Sequence, residues 1–282
     1  PGLLTTRSRQ FVLVGSGLSY HLTPTIQAYG NYSQSFRPVS FSDLVPSATT
    51  DQVDPDLKDA RAQNVDIGIK GQWGQYLRFD ISYFLLKYQN RIGQLSQKNA
   101  LNQSYLFRTN VGESTSQGLE AYIEWDPVAA ILGHQSSWGH PSFFISTSLL
   151  QATYGDFPLA NGQNLRGKQV EYAPQEIIRT GISYRLASFS MTYQISHTSS
   201  VFSDAQNSST PLASGLIGPI PAYQVHDVAF SYRWNTHLYM KSSINNLLNA
   251  SYFTRRGTGA YPGFGILPAE LRNISFTFGY TW

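Results

Sequence analysis

The sequence predicts an all-β protein, an antiparallel transmembrane β-barrel, on three observations. Apolar and polar residues alternate one by one along many segments, which is the period of a strand with two different faces. These segments are more than twice as long as the roughly 5 to 6 residues usual in soluble sheets. Charged residues are 13% of the chain and aromatic residues 14%, whereas a soluble domain has roughly 25% charged residues.

The composition excludes several other classes of protein. The 282 residues carry a formal charge of only +3, with 20 Lys and Arg against 17 Asp and Glu, so no nucleic-acid partner is expected. The chain has no cysteine, which excludes disulfides and thiolate metal sites. No apolar run reaches the roughly 18 residues of a membrane helix. The first residues lack the charged and apolar regions of a signal peptide, so none is expected in this sequence. The six histidines lack metal-ligand spacing, so no metal or other cofactor is expected.

Four strands are predicted before residue 93. The turn at 22–25 separates the first pair, and the turn at 73–75 separates the second. An irregular stretch at 36–60, rich in Pro, Ser and Asp, lies between the pairs. The predicted ranges are about 9–20, 26–35, 61–72 and 76–92. The apolar faces of these four strands contain, in order, Val12, Val14, Leu18 and Tyr20; Ile26, Ala28 and Tyr32; Val65, Ile67 and Ile69; and Leu77, Phe79, Ile81, Tyr83 and Leu85.

The next four strands follow a predicted polar loop at 93–106. The fifth opposes Glu120 and Glu124 to apolar residues, and an irregular connection at 126–140 separates it from the sixth. The sixth strand is apolar on both faces near its start. The seventh and eighth strands are joined by a very short turn. The predicted ranges are about 107–125, 141–154, 175–186 and 188–202, with Leu119, Ala121, Ile123 and Trp125 on the fifth, Ile178, Ile182, Tyr184 and Leu186 on the seventh, and Phe189, Met191, Tyr193 and Ile195 on the eighth.

The last three strands complete the chain. A loop rich in Ser, Gly and Pro precedes the ninth strand, Asn235 and Thr236 turn the chain into the tenth, and a long loop from 249 to about 269 precedes the eleventh. The eleventh has an almost wholly aromatic face and a small, polar one. The predicted ranges are about 221–234, up to 248, and 272–282, with Val228, Phe230, Tyr232 and Trp234 on the ninth and Ile274, Phe276, Phe278, Tyr280 and Trp282 on the eleventh.

The connections between the predicted strands alternate between short and long, with the connection after the fifth strand as the main exception, and this is the layout of an outer-membrane barrel. The charged residues on the third, fourth, fifth, seventh and ninth strands nearly all lie on the polar face, since an Arg or Lys facing lipid at mid-depth would cost about 2 to 4 kcal/mol. Eleven strands are an odd number, and a barrel cannot leave an open edge in lipid. Residues 1–282 are therefore predicted to be a single incomplete domain, with further strands before Pro1.

Two segments carry a resemblance to a known family. The first is Ile244-Asn245-Asn246-Leu247-Leu248-Asn249, followed by Tyr252-Phe253-Thr254-Arg255-Arg256. The second is Asp54-Pro55-Asp56-Leu57-Lys58 with Ala60-Arg61, preceded by Phe36-Arg37-Pro38. Both resemble segments of TonB-dependent outer-membrane receptors, although Asp59 and Ala60 depart from the family pattern. The continuation Tyr261-Pro262-Gly263 and Gly265-Ile266-Leu267-Pro268 resembles the ferric-citrate receptor subgroup.

The resemblance implies the C-terminal half of a barrel of about twenty-two strands, with an N-terminal plug domain that is absent from this chain. It implies uptake of a ferric chelate such as ferric citrate, with iron arriving only as part of the chelate. The implied partners are the plug and the missing strands, a TonB complex acting through the plug, outer-membrane lipid and lipopolysaccharide, and the barrel assembly machinery. The implied location is a bacterial outer membrane, with long loops outside and short turns in the periplasm.

The candidate binding residues follow from the charge of such a ligand. A ferric citrate complex is anionic and rich in carboxylates, so its site should offer guanidinium groups and amide donors. Arg255 and Arg256 lie side by side in the last long loop, beside Tyr261, and the alternative is a loop pair bound to acids or to lipopolysaccharide phosphate. The other charged residues near long loops are Arg37, Arg91, Arg108, Arg166 and Lys168, and a single charge of this kind is more often solvated or structural than part of a binding site. Asn245 and Asn246 are predicted to satisfy backbone groups near the outer end of their strand, and Trp282 is the predicted assembly signal.

Two other functions remain open from the sequence alone. A passive porin has the same strand layout, and an upstream plug sequence would exclude it. An outer-membrane hydrolase is the enzymatic alternative, but no Gly-x-Ser-x-Gly turn supports a catalytic triad built from the available Asp, Ser and His residues. The sequence therefore favours a transporter without catalytic residues.

Overall fold

Eleven strands form one antiparallel sheet that dominates the molecule. The computed structural model describes residues 10–46, 51–101, 103–133, 137–157, 159, 163–211, 215–257 and 265–281. Within this sheet, each strand pairs with the strand that precedes it and the strand that follows it in sequence. The short strands that occur between them belong to separate small sheets. Among the described residues, no helix is long and apolar enough to cross a membrane.

The strands of the large sheet match the eleven predicted ones in order, and their bounds differ most for the first and fifth strands, which begin later than predicted. They are β1 (Gly15–Thr23), β2 (Ile26–Arg37), β4 (Ala60–Trp73), β5 (Leu77–Gln89), β8 (Ser114–Trp125), β9 (His140–Tyr154), β10 (Glu176–Leu186), β11 (Phe189–Thr198), β14 (Tyr223–Arg233), β15 (Leu238–Asn245) and β18 (Asn273–Tyr280). The remaining elements are β3 (Gln52–Val53), β6 (Ile92–Lys98), β7 (Ser104–Asn110), β12 (Val201–Phe202), β13 (Pro219–Ile220), β16 (Phe253–Gly257), β17 (Gly265–Pro268), α1 (Phe41–Leu44) and α2 (Pro127–Leu132).

The register confirms that the two faces of the sheet differ in polarity. We call the apolar face outward and the polar face inward. On the outward face, apolar residues lie opposite one another on neighbouring strands: Ile67 pairs with Tyr83, which pairs with Leu119. On the inward face Lys70 lies opposite Asp80, and Arg78 lies opposite Glu124. The outward apolar side chains are exposed, and Phe278 reaches 70% exposure. An exposed apolar band of this size requires an apolar partner.

Aromatic side chains lie over glycines at four places on the inward face. Each pair joins residues directly opposite one another on neighbouring strands: Tyr29 with Gly68, Phe84 with Gly118, Phe144 with Gly181, and Tyr239 with Gly279. A Cβ added at Gly181 would lie 2.8 Å from Phe144 Cζ and would also clash with the carbonyl of Tyr193. These glycines therefore leave the space that the aromatic rings occupy.

The structure corrects several predictions of secondary structure, and the predicted long loop from 249 to about 269 also contains the paired strands β16 and β17. The predicted polar loop at 93–106 is largely a hairpin of β6 and β7, with β3 added in parallel, and the predicted fifth strand is two strands. The division falls at Gly112, whose φ of 71° lies in the left-handed region and breaks the extended run. The irregular connection after β8 contains helix α2, which Asp126 caps through a hydrogen bond from the Ala129 amide, 2.8 Å long.

Candidate functional site

The long connections all leave from one edge of the large sheet, which is called the loop edge below. This edge is marked by paired residues at strand ends that adjoin long connections. The pairs are Arg37 with Ala60, Ser114 with Tyr154, and Asn245 with Asn273. The short turns and the α2 connection lie at the opposite edge, the turn edge. Five connections therefore meet at the loop edge, and they cover residues 38–59, 90–113, 155–175, 199–222 and 246–272.

Three of these connections share a small apolar core with the end of β9. Leu165 is 2% exposed and Val111 is 1% exposed. The core contains Leu95, Val111, Ala152, Tyr154, Leu165, Val170 and Ala205. A cluster of buried aliphatic side chains stabilises the connections against one another as it would in a soluble domain. The loop edge is therefore a packed layer as well as a set of loops.

A charged cluster lies at the border of this loop core. Arg91 Nη2 is 3.1 Å from Glu171 Oε1, and the Arg91 guanidinium lies 5.9 Å from the centre of the Tyr154 ring. The Tyr154 hydroxyl donates to the other carboxylate oxygen of Glu171. Arg91 comes from the connection after β5 and Glu171 from the connection after β9, so the pair joins two loops.

Arg37, a predicted binding residue, is at the end of β2 and pairs with Asp43 of α1. Its Nη2 donates to both carboxylate oxygens, at 2.8 and 3.1 Å. Ser40 donates to the same carboxylate through its amide and its hydroxyl. Burial acts to raise the pKa of Asp43, but the hydrogen bonds from Ser40 and Arg37 outweigh it and lower that pKa. The Arg37 side chain remains 47% exposed.

Arg256 is buried in the structure, at 7% exposure. Its guanidinium donates to the carbonyls of Gly218, Gly215 and Pro219, at 3.0, 2.8 and 2.7 Å. The ring of Phe253 lies 5.4 Å from the Arg256 guanidinium carbon. Arg256 therefore holds the end of the connection after β11 against the last long connection. A ligand could reach this guanidinium only if those hydrogen bonds broke.

Arg255 has the opposite environment. It is exposed on β16, where its Cα lies opposite Leu267 of β17. Tyr172 is close to both arginines: burial raises its pKa, while the backbone amide of Arg256 and the charges of Arg256 and Arg255 act to lower it. Tyr172 was not predicted as part of a site. Its positive φ of 55° marks an unusual turn, which the sequence did not signal.

The remaining predicted residues lie apart from this pair. Arg166 and Lys168 are both exposed on one turn of the connection after β9. Arg166 Nε is 3.8 Å from Asp156 Oδ1, and both side chains are more than 60% exposed, so the pair contributes little to stability. Tyr261 and Trp282 lie outside the described residues. The predicted roles of all these residues in binding or assembly stay predictions.

An inward-facing cleft of about 410 Å³ lies beneath the loop edge. Tyr223 and Tyr252 stack across it, with ring centres 4.6 Å apart. The cleft carries three charged side chains, Arg179, Asp227 and Glu270, and it is also lined by Asn245, Asn246 and Asn273. Tyr223 lies on the same face of β14 as Asp227. This alternation along β14 is the feature of the sequence from which this side of the cleft could have been predicted.

The two adjacent asparagines next to this cleft have different roles. Asn246 was predicted to satisfy backbone groups at the strand end, and this is confirmed: its side chain bonds both the carbonyl and the amide of Ala250 at 2.8 Å. Asn245 was assigned the same role, and that prediction is wrong, because its amide donates to the Asn273 side chain at 2.8 Å. The difference arises because Asn246 leaves the strand with a φ of 53°.

The residues that the structure describes contain no cluster of three or more His, Asp or Glu side chains able to hold a metal ion. The loop edge instead offers guanidinium groups, phenols and amides. Such groups bind anionic or polar ligands by hydrogen bonding.

Fold and site together define part of a large antiparallel β-barrel with packed loops at one end. Residues 5–247 match the family described as TonB dependent receptor-like, beta-barrel, and the chain belongs to this family. The family works with TonB, and its members are outer-membrane β-barrels. The outward apolar face of the sheet is accordingly its lipid-facing side.

Individual relatives agree with this family. The chain is 20% identical over 265 residues to a probable TonB-dependent receptor, BfrD, of Bordetella pertussis, covering 94% of this chain and 33% of that protein. The unliganded ferric citrate transporter FecA has a TM-score of 0.72 and 19% identity, covering 95% of this chain and 37% of its own. The copper transporter OprC has a TM-score of 0.70 and 12% identity, covering 95% and 39%.

These relatives limit what can be carried over. The chain spans between a third and two fifths of the length of each of them. Both solved structures are under 25% identical, and their named cargoes differ although their TM-scores are similar. The likeness therefore establishes the fold and leaves the ligand to be argued from residues.

Proposed function

We propose that the full-length protein is an outer-membrane receptor that takes up a ferric chelate rich in carboxylates, with ferric citrate as the reference ligand. The observation that carries the proposal is the exposed Arg255, which stands in the last long connection next to Arg256, whose backbone amide bonds Tyr172. A guanidinium binds a carboxylate with two parallel hydrogen bonds, and a phenol adds one more donor. Ferric citrate presents several carboxylate groups to such donors.

Arg256 has a positioning role in this proposal. Its three hydrogen bonds to backbone carbonyls fix the strand on which Arg255 stands. Preorganised donors bind more tightly, because the ligand does not have to order them. Arg37 keeps an exposed guanidinium edge as a second contact at the loop edge, and Arg166 and Lys168 supply positive charge that draws an anion toward it.

The proposal extends to the partners and the location of the whole protein. The chelate is held by the loop edge on the outside of the cell, and the short turns face the periplasm. A TonB complex acts through an N-terminal plug, and Trp282 is read by the barrel assembly machinery. Lipopolysaccharide and phospholipid cover the outward face. The charged cleft with Arg179 lies below the loops, on the path that a released ligand would take.

Binding of ferric citrate to the purified full-length receptor tests the ligand. We expect binding that exceeds that of a hydroxamate and of a catecholate siderophore, and Arg255→Ala to weaken it by about tenfold or more, as expected for one charge-assisted contact. Arg255→Lys should recover only part of the affinity, since a lysine cannot form the bidentate pair. Equal affinity for the three chelates would contradict the carboxylate assignment.

Two further variants separate contact from positioning. Arg233→Ala removes an arginine at the turn edge and should leave affinity unchanged. Arg256→Ala should weaken binding and also loosen the backbone around 215–219, as measured by hydrogen exchange. If Arg256→Ala leaves that backbone protected but still abolishes binding, Arg256 is itself a ligand contact.

The energy requirement distinguishes the receptor from a passive pore. We expect uptake of iron-labelled citrate by cells to stop when a protonophore collapses the inner-membrane proton gradient or when TonB is absent. Uptake that continues at the same rate under both conditions would favour the porin. The TonB-dependent receptor family and the structural relatives are receptors and transporters, which supports a function without catalysis.

A further inference from the structure

The connection between β8 and β9 differs from the other connections at the turn edge. The other four are tight and cover residues 24–25, 74–76, 187–188 and 234–237. This one covers 126–139 and contains α2. A tight turn would suffice to join two antiparallel strands, so the additional residues call for a separate explanation.

The additional residues are apolar and exposed. Ile131 is 80% exposed, Leu132 is 61% exposed and Trp138 is 78% exposed. From residue 127 to residue 139 the sequence contains no Lys, Arg, Asp or Glu. Scattered apolar residues on a protein surface need no explanation, but several large ones within a stretch that has no Lys, Arg, Asp or Glu point to an apolar environment.

The polar groups at the two ends of this connection form hydrogen bonds within the protein. Asp126 uses one carboxylate oxygen to accept from the Ala129 amide and places the other 3.0 Å from His140 Nδ1. The Tyr184 hydroxyl donates to the carbonyl of Trp138 at 3.0 Å. These contacts fix the two ends of the connection and leave the side chains of Ile131 and Leu132 projecting beyond them.

The two ends of the connection lie next to the lipid-facing side of the sheet. Tyr184 belongs to the outward apolar face of β10, and it holds the backbone at Trp138. Trp125 and Phe143, which flank the connection in sequence, are outward-facing, each 45% exposed, and their rings stack with centres 6.2 Å apart. The exposed residues of the connection therefore continue the outward band past the last residues of the sheet.

We propose that the α2 connection is a membrane-interface anchor, whose Ile131, Leu132 and Trp138 insert among the phospholipids of the leaflet at the turn edge. Tryptophan favours the boundary between headgroups and acyl chains, because its ring is apolar and its N–H can still reach water. Apolar side chains of a helix that lies at this boundary are buried shallowly at the same depth. The anchor would fix the height and tilt of this part of the barrel in the bilayer.

A spin label at one position measures this insertion. Leu132→Cys is made in the full-length protein, in which any cysteine outside this chain is replaced by serine. The variant is labelled with a nitroxide and reconstituted in phosphatidylethanolamine and phosphatidylglycerol vesicles. We expect frequent collisions with oxygen, which concentrates in lipid, and few with a water-soluble nickel chelate. Thr236→Cys, in a tight turn at the same edge, is the control and should show the reverse.

Each other outcome overturns the anchor. Frequent collisions with the nickel chelate at Leu132 would place the connection in water. Few collisions with either reagent would place it under protein, as for a docked plug or another periplasmic partner. Heat-modifiable gel migration of both labelled proteins verifies that the barrel has folded.

The anchor rests on the membrane location of the barrel and not on its ligand. The measurement contains no chelate, so failure of the ferric-chelate proposal leaves it intact. A protein that failed to reconstitute at all would instead contradict the membrane location.

Discussion

The lipid-facing sheet and the loop edge are stabilised by different physical means. In the sheet, each strand pairs only with its sequence neighbours, one face is apolar, and the other is polar. At the loop edge, residues from distant connections form a buried core, as Leu95, Leu165 and Ala205 do. The sheet depends on a pattern repeated at every strand, whereas the loop edge depends on a few contacts that occur once.

This difference teaches where the molecule can change without losing its fold. Backbone hydrogen bonds that face lipid must all be made, because an unpaired group there costs several kcal/mol. Connections outside the sheet have no such requirement, so the loop edge is free to vary in sequence. Its core and its arginine contacts then determine how well ordered its exposed side chains, such as Arg255, are.

The largest expected effect is on the loop core. Leu165→Ala should destabilise the packed connections by about 3 kcal/mol, because it opens a cavity in a buried aliphatic cluster. Native-state hydrogen exchange should report faster opening of residues 155–175, while the thermal unfolding of the barrel stays where it was. If barrel unfolding shifts to the same extent, the two regions are one cooperative unit.

Leu101→Ala is the matched control for that variant. Leu101 is 77% exposed at the tip of the β6 and β7 hairpin, so its loss should change stability by less than about 0.5 kcal/mol. An equal effect from both leucines would mean that the core around Leu165 does not contribute as its burial suggests.

The same difference explains what the sequence could predict. All eleven strands of the sheet were predicted, because alternation and charge segregation are local signals that each strand carries by itself. The β6 and β7 hairpin was missed because its strands are largely polar and do not alternate clearly between apolar and polar residues. The addition of β3 was missed because the pairing of Gln52 with Phe107 is long-range and leaves no local trace. Helix α2 was missed because six residues give too short a period to recognise.

The candidate site was predictable in composition but not in geometry. The sequence identified Arg255 and Arg256 as a pair, and nothing in two adjacent arginines indicates which of them will be buried. The answer depends on the carbonyls of residues 215–219, about 40 positions earlier in the chain. Tyr172 was missed for the same reason, since its proximity to the arginines is a long-range contact.

A smaller effect is expected from the glycines beneath the aromatic rings. Gly181→Ala should destabilise the folded barrel by about 2 kcal/mol, because the added methyl group must displace Phe144 or the backbone of β11. Gly30→Ala is the control, since its nearest neighbour would be an ordinary 3.7 Å away. Urea-dependent folding of the full-length protein into vesicles measures both. Equal stabilities would mean that the rings move aside freely.

The smallest expected effect is the response of α1 to acid. The pKa of Asp43 is lowered in the folded state, so its stabilising contribution is complete above the ordinary value of 3.8 and is lost as the pH falls through the lower, folded value. The Arg37 partner is half exposed, which limits the pair to about 1 kcal/mol or less. Hydrogen exchange of residues 38–46, corrected for the intrinsic rate at each pH, should show this loss.

Two variants assign the acid response to its cause. Asp43→Asn should remove the pH dependence from residues 38–46, because no carboxylate remains to be protonated. Arg37→Ala should retain part of it, since the amide and hydroxyl of Ser40 still donate to the carboxylate. If Arg37→Ala abolishes the response, the ion pair alone lowers the pKa, and Arg37 is then bound too firmly to Asp43 to serve a ligand as well.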